Sequence, residues 1–315
     1  MTRRAFVAFP AAAAPALPPA PITPALFRQK LEGPICSVPT VYNQDRSLDL
    51  VSFKRIIETA VKGGCTAFAL TSGNNQYDRL SYDEIKQLTR ALIEGVAGRG
   101  LTIAATGPWW TGQVVDYARF ARDLGADAVQ VHLPAQGDEA SLLEHFRAAA
   151  SAARRAIVLH GQVPIPLLRK LVGIDEISAY KEEYGALYSR EVFEEFGKRI
   201  NIFAGGQKGN FLTFWPYGMR AYYSTFSTFS PKVTREFWNA VKAHDLDRAG
   251  LTVTRYDVPF FRGTPFGAWT HAYWRATLEV HGIATRYLRQ PEVTFDDAQV
   301  AKVRDFQKQL GLLEA

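Results

Sequence analysis

The sequence predicts a (β/α)₈ barrel followed by a C-terminal helical extension, and three observations carry that expectation. The chain has 315 residues, enough for eight α/β units in one domain. Eight short apolar runs alternate with eight amphipathic segments through short connections, the pattern of a parallel barrel. A doubly wound open sheet would share the alternation, but no dinucleotide glycine fingerprint follows the first run. Hydrophobic content of 47% against 22% charged residues fits a globular protein with a large core.

The first 30 residues read as something other than the fold. Arg3-Arg4 precede a weakly apolar stretch and an Ala/Pro tract, the layout of a twin-arginine export leader or of a disordered extension. Residues 31–244 are assigned to the barrel and 245–315 to the extension. Strand one is expected over Ile35–Thr40, and a helix over Leu48–Val61 from the apolar positions Leu50, Phe53, Ile56, Ile57 and Ala60. Gly63-Gly64 stops that helix before strand two, Thr66–Leu70. Ser81 and Glu84 form a capping box opening a helix to about Val96. Strand three is Leu101–Thr106, with a helix over Gln113–Leu124, and strand four is Ala128–His132. A helix over Ser141–Ala153 leads to strand five, Ala156–His160, then a short helix over Pro166–Leu171. Strand six, Glu176–Tyr180, ends at Lys181. A helix over Arg190–Phe196, strand seven at Asn201–Ala204, a short helix over Phe211–Tyr217 and strand eight at Ala221–Ser224 follow. Pro231 opens the last barrel helix, Lys232–His244. Two further helices are expected in the extension, Phe266–Leu288 and Asp296–Leu310.

The net charge of +6 is spread along the chain, with no arginine-rich run or zinc-finger spacing, so no nucleic-acid partner is expected. Cys36 and Cys65 are too few for a disulfide framework and read as small packing residues. No apolar run reaches the length of a membrane span.

Lys181 draws attention on its own. At the C-terminal end of a barrel strand it sits where such barrels carry their chemistry. A lysine held there among apolar side chains is hard to solvate as an ammonium, which favours the nucleophilic amine. The plain alternative is a surface lysine in a charged turn, since Glu182 and Glu183 follow.

The order of motifs around it resembles the dihydrodipicolinate synthase and N-acetylneuraminate lyase family over roughly Gly33 to Arg289. Pro39-Thr40 stands where the family has its Pro-Thr-Pro segment, and Thr71-Ser72-Gly73 where it has its Thr-Thr-Gly loop. Leu80–Glu84 resembles the leucine-led helix start, Gly125–Val129 the entry to strand four, and Ile177–Glu182 the strand bearing the Schiff-base lysine, here Lys181. The resemblance implies a homotetramer or dimer and chemistry needing no cofactor. The chain also departs from the family. Leu159-His160-Gly161-Gln162-Val163-Pro164 replaces Tyr-Asn-x-Pro, Ile165–Leu168 lacks the carboxylate-binding arginine, Asn74 stands for the loop glutamate, and Ala135-Gln136 replaces an interface tyrosine pair. A different substrate from that of the true synthases is therefore expected.

A Schiff-base lyase acting on a 2-oxo acid needs an amine, a proton shuttle and donors for developing negative charge. Lys181 supplies the amine. His160 is the candidate shuttle, since imidazole titrates near neutrality. Thr71 and Ser72 are candidates for proton relay or carboxylate binding. Thr40, Gly73, Asn74, Gly205 and Gly206 are candidate substrate-binding positions, the glycines for close backbone approach. Aromatics in Pro108-Trp109-Trp110 and Phe214-Trp215-Pro216-Tyr217 suit sugar rings or aromatic aldehydes, or equally core or interface packing, and export would favour a sugar-acid substrate. Two other readings compete. His132 and His160 on adjacent strands could ligate a divalent metal with Glu182, or the barrel could be a non-catalytic, sugar-binding descendant.

Overall fold

The computed structural model describes residues 22–206, 208–262 and 264–313. Eight parallel strands close into one barrel in chain order: β1 Gly33–Ser37, β2 Ala67–Ala69, β3 Leu101–Ala105, β4 Ala128–His132, β5 Ala156–His160, β6 Ile177–Glu182, β7 Asn201–Ala204 and β8 Ala221–Tyr223. Pairing of Gly33, Pro34 and Ile35 with Ala221, Tyr222 and Tyr223 closes the ring. The helices between strands are α2 Leu50–Lys62, α3 Tyr82–Val96, α4 Thr111–Asp123, α5 Glu139–Ala153, α6 Ile165–Leu171, α7 Ala186–Phe196 and α8 Lys208–Phe214, with α9 Pro231–Lys242 after β8. The predicted barrel is thus the observed one, and the capping box at Ser81 and Glu84 forms as expected.

Strand alternation sorts the core into two layers. Inside the barrel lie Ile35, Ala67, Ala69, Ile103, Ala128, Ala156, Val158, Ala179, Phe203 and Tyr223. Small alanines on many strands leave room for the two large rings. The outward residues Phe68, Val129, Leu159, Tyr180 and Tyr222 pack beneath the helices.

An element inside the stretch assigned to the leader belongs to the fold. Helix α1, Pro24–Lys30, is capped by the Thr23 hydroxyl, which accepts from the Leu26 amide. Its Phe27, with Leu31, joins the inner core and plugs the N-terminal end of the barrel. Ser178 Oγ donates to the Pro24 carbonyl, and Asn201 Nδ2 to the carbonyls of Arg28 and Leu31. The twin-arginine expectation for residues 1–21 lies outside the described residues.

The extension differs from the two long helices expected. It comprises α10 Leu246–Thr252, a π-helical turn Val253–Asp257, α11 Val258–Arg262, α12 His271–Val280 and α13 Asp297–Gln309. The single helix expected over Phe266–Leu288 is cut at both ends. Gly267 takes a positive φ and the Thr270 side chain caps the Tyr273 amide at the start, while Gly282 turns left-handed at the end. The predicted Phe211–Tyr217 helix is shifted to α8, with Pro216 in a separate 3₁₀ turn. No helix among the described residues is long and apolar enough to cross a membrane.

Candidate active site

Three inward-facing strand ends meet at the C-terminal mouth. In register, His132 pairs with His160 across β4 and β5, and His160 with Lys181 across β5 and β6. The second pairing depends on a bulge. Ile157 pairs with Ile177, but Val158 pairs with Ala179, so Ser178 is an extra residue. Without that offset His160 would face Tyr180, whose side chain points outward, and the amine would leave the site.

Lys181 is only 7% exposed, which rules out the surface-turn reading. Its Nζ donates to Glu183 Oε1 at 2.8 Å and lies 3.1 Å from His160 Nε2. His160 Nε2 is 3.2 Å from the same carboxylate oxygen. Gln130 Nε2 approaches His160 Nδ1 at 3.4 Å, while Gln130 Oε1 accepts from the Tyr223 hydroxyl at 3.3 Å. With Gln130 donating to Nδ1, the neutral imidazole carries its proton on Nε2 and donates it to Glu183. Burial holds the Tyr223 phenol far above its usual range, with the Glu183 charge adding to the effect. The phenol therefore stays protonated and keeps donating to Gln130.

The electrostatics are those of a coupled cluster. Burial, assisted by the Lys181 and His132 charges, depresses the His160 imidazole to about 4 against the opposing pull of Glu183. Burial alone would raise the Glu183 carboxyl, but the His160 hydrogen bond and the Lys181 charge and hydrogen bond outweigh it and hold it at about 2. At neutral pH the imidazole is uncharged and the carboxylate ionised.

Glu183 is a member of this cluster that sequence reasoning missed. Strand alternation would have pointed to it, since Lys181 faces inward and the residue two further on shares its face. Glu182 faces the other way, and its carboxylate accepts from the Tyr184 amide at 2.7 Å. Glu182 therefore does not join the histidine pair as a third metal ligand, and among the described residues no group of three His, Cys, Asp or Glu side chains could hold a metal ion. His132 stacks edge-on to His160 with centroids 4.7 Å apart, and its Nδ1 is bonded to the Leu133 carbonyl at 2.9 Å.

The β1 and β2 ends supply a second, polar wall. Asn74 Nδ2 donates to Ser37 Oγ at 2.9 Å, and Ser37 Oγ lies 3.4 Å from Thr71 Oγ1. Ser37 was not singled out from sequence; it ends β1 on the inner face. Thr40, by contrast, is spent inside the loop: its hydroxyl donates to the Asn75 carbonyl at 2.9 Å and its own carbonyl accepts from Arg275 Nε at 2.8 Å. Ser72 is half-buried, its carbonyl accepting from the Tyr77 amide at 3.0 Å, and Gly73 is exposed. A cavity of about 270 Å³ is lined by Ser37, Asn74, Gly205, Gly206 and Tyr223 among others. Two of these residues connect it to the amine. A Cβ on Gly205 would meet Lys181 Cε and Cγ at 2.9 Å, and Lys181 Nζ lies 5.7 Å from the Tyr223 ring centroid.

Fold and site together define a closed (β/α)₈ barrel with an amine–imidazole–carboxylate cluster at its C-terminal mouth. The chain belongs to the dihydrodipicolinate synthetase family, whose profile matches residues 30–310. It is 26% identical over 298 residues to a 4-hydroxy-tetrahydrodipicolinate synthase of Pelobacter propionicus, covering 90% of this chain and 99% of that one. It is also 26% identical over 230 residues to a probable 5-dehydro-4-deoxyglucarate dehydratase of Streptomyces avermitilis, covering 70% and 69% of the two chains. The dihydrodipicolinate synthase structure from Bacillus clausii superposes with a TM-score of 0.80 at 20% identity, covering 91% and 100% of the chains. YagE from E. coli K12, a prophage protein solved in complex with pyruvate, gives 0.79 at 19% identity over 90% and 99%. The low identities agree with a divergent member carrying the family's lyase fold.

Proposed function

We propose that the protein is a lyase, an aldolase or dehydratase, that holds a 2-oxo acid as a Schiff base on Lys181. The observation that carries this reading is the buried amine within hydrogen-bond reach of both a neutral imidazole and a carboxylate. In the resting site the ammonium of Lys181 is paired to Glu183. Transfer of one proton to Glu183 Oε1 leaves a neutral amine, and with the ammonium charge gone one of the groups depressing the carboxyl is removed. The amine nitrogen then bonds to C2 of the 2-oxo acid, and a proton moves from nitrogen to the former carbonyl oxygen. Protonated Glu183 returns its proton to that hydroxyl, the C2–O bond breaks, and water leaves the protonated imine. His160, donating from Nε2, stabilises the carboxylate and the departing hydroxyl, so His160 and Glu183 act as one proton-transfer unit. Asn74 and Ser37, which line the cavity, and Thr71 beside Ser37 are the groups assigned to the substrate carboxylate.

The protonated imine withdraws electrons from C3, which is what carbon–carbon cleavage or loss of a substituent requires. The lack of the carboxylate-binding arginine that the family resemblance implies supports a substrate other than that of the synthases. The test is borohydride reduction in the presence of pyruvate, followed by peptide mass analysis. A stable adduct is expected on Lys181 in the native protein and none in Lys181→Met. An adduct that survives this substitution, or no adduct with any 2-oxo acid, overturns the reading.

A further inference from the structure

Beyond Lys181 the same cavity is bounded by a second, independent pair of charges. Lys208 opens α8 and Asp257 ends the π-helical turn of the extension, and both line the cavity. Lys208 Nζ donates to Asp257 Oδ1 at 2.6 Å, and the Lys208 amide donates to Oδ2 at 3.2 Å. Both residues are only 1% exposed.

Stability does not account for the pair. Two charges removed from water recover little more than their desolvation cost, and apolar replacements of similar volume are often neutral or stabilising. The pair is also incompletely used. Among the described residues the ammonium donates only one of its three N–H groups to oxygen, and it lies 4.3 Å from the Phe226 ring centroid. Each Asp257 oxygen keeps a lone pair after its single contact. A third unsatisfied group lines the same cavity: the indole Nε1–H of Trp269 is buried without a partner among the described residues. Finally, Asp257 stands on a π-helical turn, a form that occurs mostly as single turns and frequently at functional sites.

We propose that Lys208 and Asp257, with the Trp269 indole, form the subsite for the far end of the substrate, and that this end carries hydroxyl groups. A hydroxyl accepts from an ammonium or indole N–H and donates to a carboxylate, so one or two of them complete all three groups. A second carboxylate would satisfy the donors but stand against Asp257, and an apolar chain would leave the spare ammonium N–H groups and the indole N–H unmet. Phe261 beside Trp269 offers an apolar face to the C–H side of the same chain. The proposal rests on the Schiff-base reading only in taking C2 to be held at Lys181.

The test compares four probes on the full chain: pyruvate, 2-oxobutyrate, 2-oxoglutarate and 2-oxo-3-deoxygluconate. Half-saturation of the borohydride-trapped adduct is read by intact mass, and the melting temperature is read without borohydride. In the native protein the hydroxylated acid is expected to saturate at a concentration at least tenfold below the other three. Asp257→Asn, which leaves a buried ammonium unpaired, is expected to lose that advantage if it folds. The double variant Lys208→Met/Asp257→Leu removes both charges with similar volume. It is expected to lose the advantage while its half-saturation by pyruvate changes less than twofold. Preference for 2-oxoglutarate, or discrimination retained in the double variant, overturns the proposal. If no probe forms an adduct, the Schiff-base reading fails and the melting temperature decides the subsite. Protection of the native protein but not of the double variant by the hydroxylated acid sustains it, and absence of protection overturns it.

Discussion

Glu183 and His160 show how two side chains with ordinary solution chemistry become an electrostatically coupled pair. The same burial that depresses the imidazole to about 4 would raise the carboxyl, yet the nearby ammonium and imidazole hold it at about 2. The sign for stability follows from linkage. His160 has an ordinary value of 6.5 and is lower when folded, so the unfolded chain binds more protons between those values. The stability contributed by the neutral ring is complete above pH 6.5 and is lost as pH falls toward about 4. Glu183 adds a second loss between 4.5 and about 2. Urea midpoints followed from pH 7 to pH 4 should therefore fall, and His160→Phe should flatten the decline between pH 6.5 and 4. Gly205 is a steric counterpart to this electrostatics. Gly205→Ala would press a methyl against Lys181 Cε and Cγ and against Glu183 Oε2, so both side chains would have to shift. The variant should fold with an unchanged melting temperature while adduct formation slows at least tenfold.

Among the elements, β6 and α1 decide most. The β6 bulge brings Lys181 level with His160, and the extra residue is tied down, since Ser178 Oγ donates to the Pro24 carbonyl of α1. The plug helix thus packs the barrel floor and helps hold the offset that positions the amine. Phe27 is fully buried against the inner core. Phe27→Ala should cost about 3–5 kcal/mol, read as a lower urea midpoint with little change in slope. Neither the bulge nor α1 is expected from the sequence, for different reasons. Helix α1 is only seven residues and follows an Ala/Pro tract, so its weak local signal was read as part of a leader. A bulge leaves no mark in local composition, because it exists only as an offset between two strands.

At the scale of the molecule, the extension completes the mouth of the barrel. Arg275 on α12 is fully buried, and its guanidinium donates to the carbonyls of Thr40 and Asn74 at 2.8 and 3.2 Å. It bridges the loops after β1 and β2 from a helix more than two hundred residues away. Arg275→Met should remove about 1–3 kcal/mol for each buried carbonyl left unmet, and amide exchange at Asn75 and Gln76 should quicken relative to the barrel strands. The sequence by itself determined the eight-unit barrel, the strand carrying Lys181 and the strand ending in His160, because hydrophobic periodicity and capping are local properties of the chain. Glu183 was within reach of the same alternation rule once Lys181 was placed inward. Only the tertiary structure decided that His160 faces Lys181, that Thr40 is spent in a loop, and that Lys208 pairs with Asp257 at the edge of the cavity. Those relations depend on inter-strand register and on loops folding back over the barrel, which distant parts of the chain settle together.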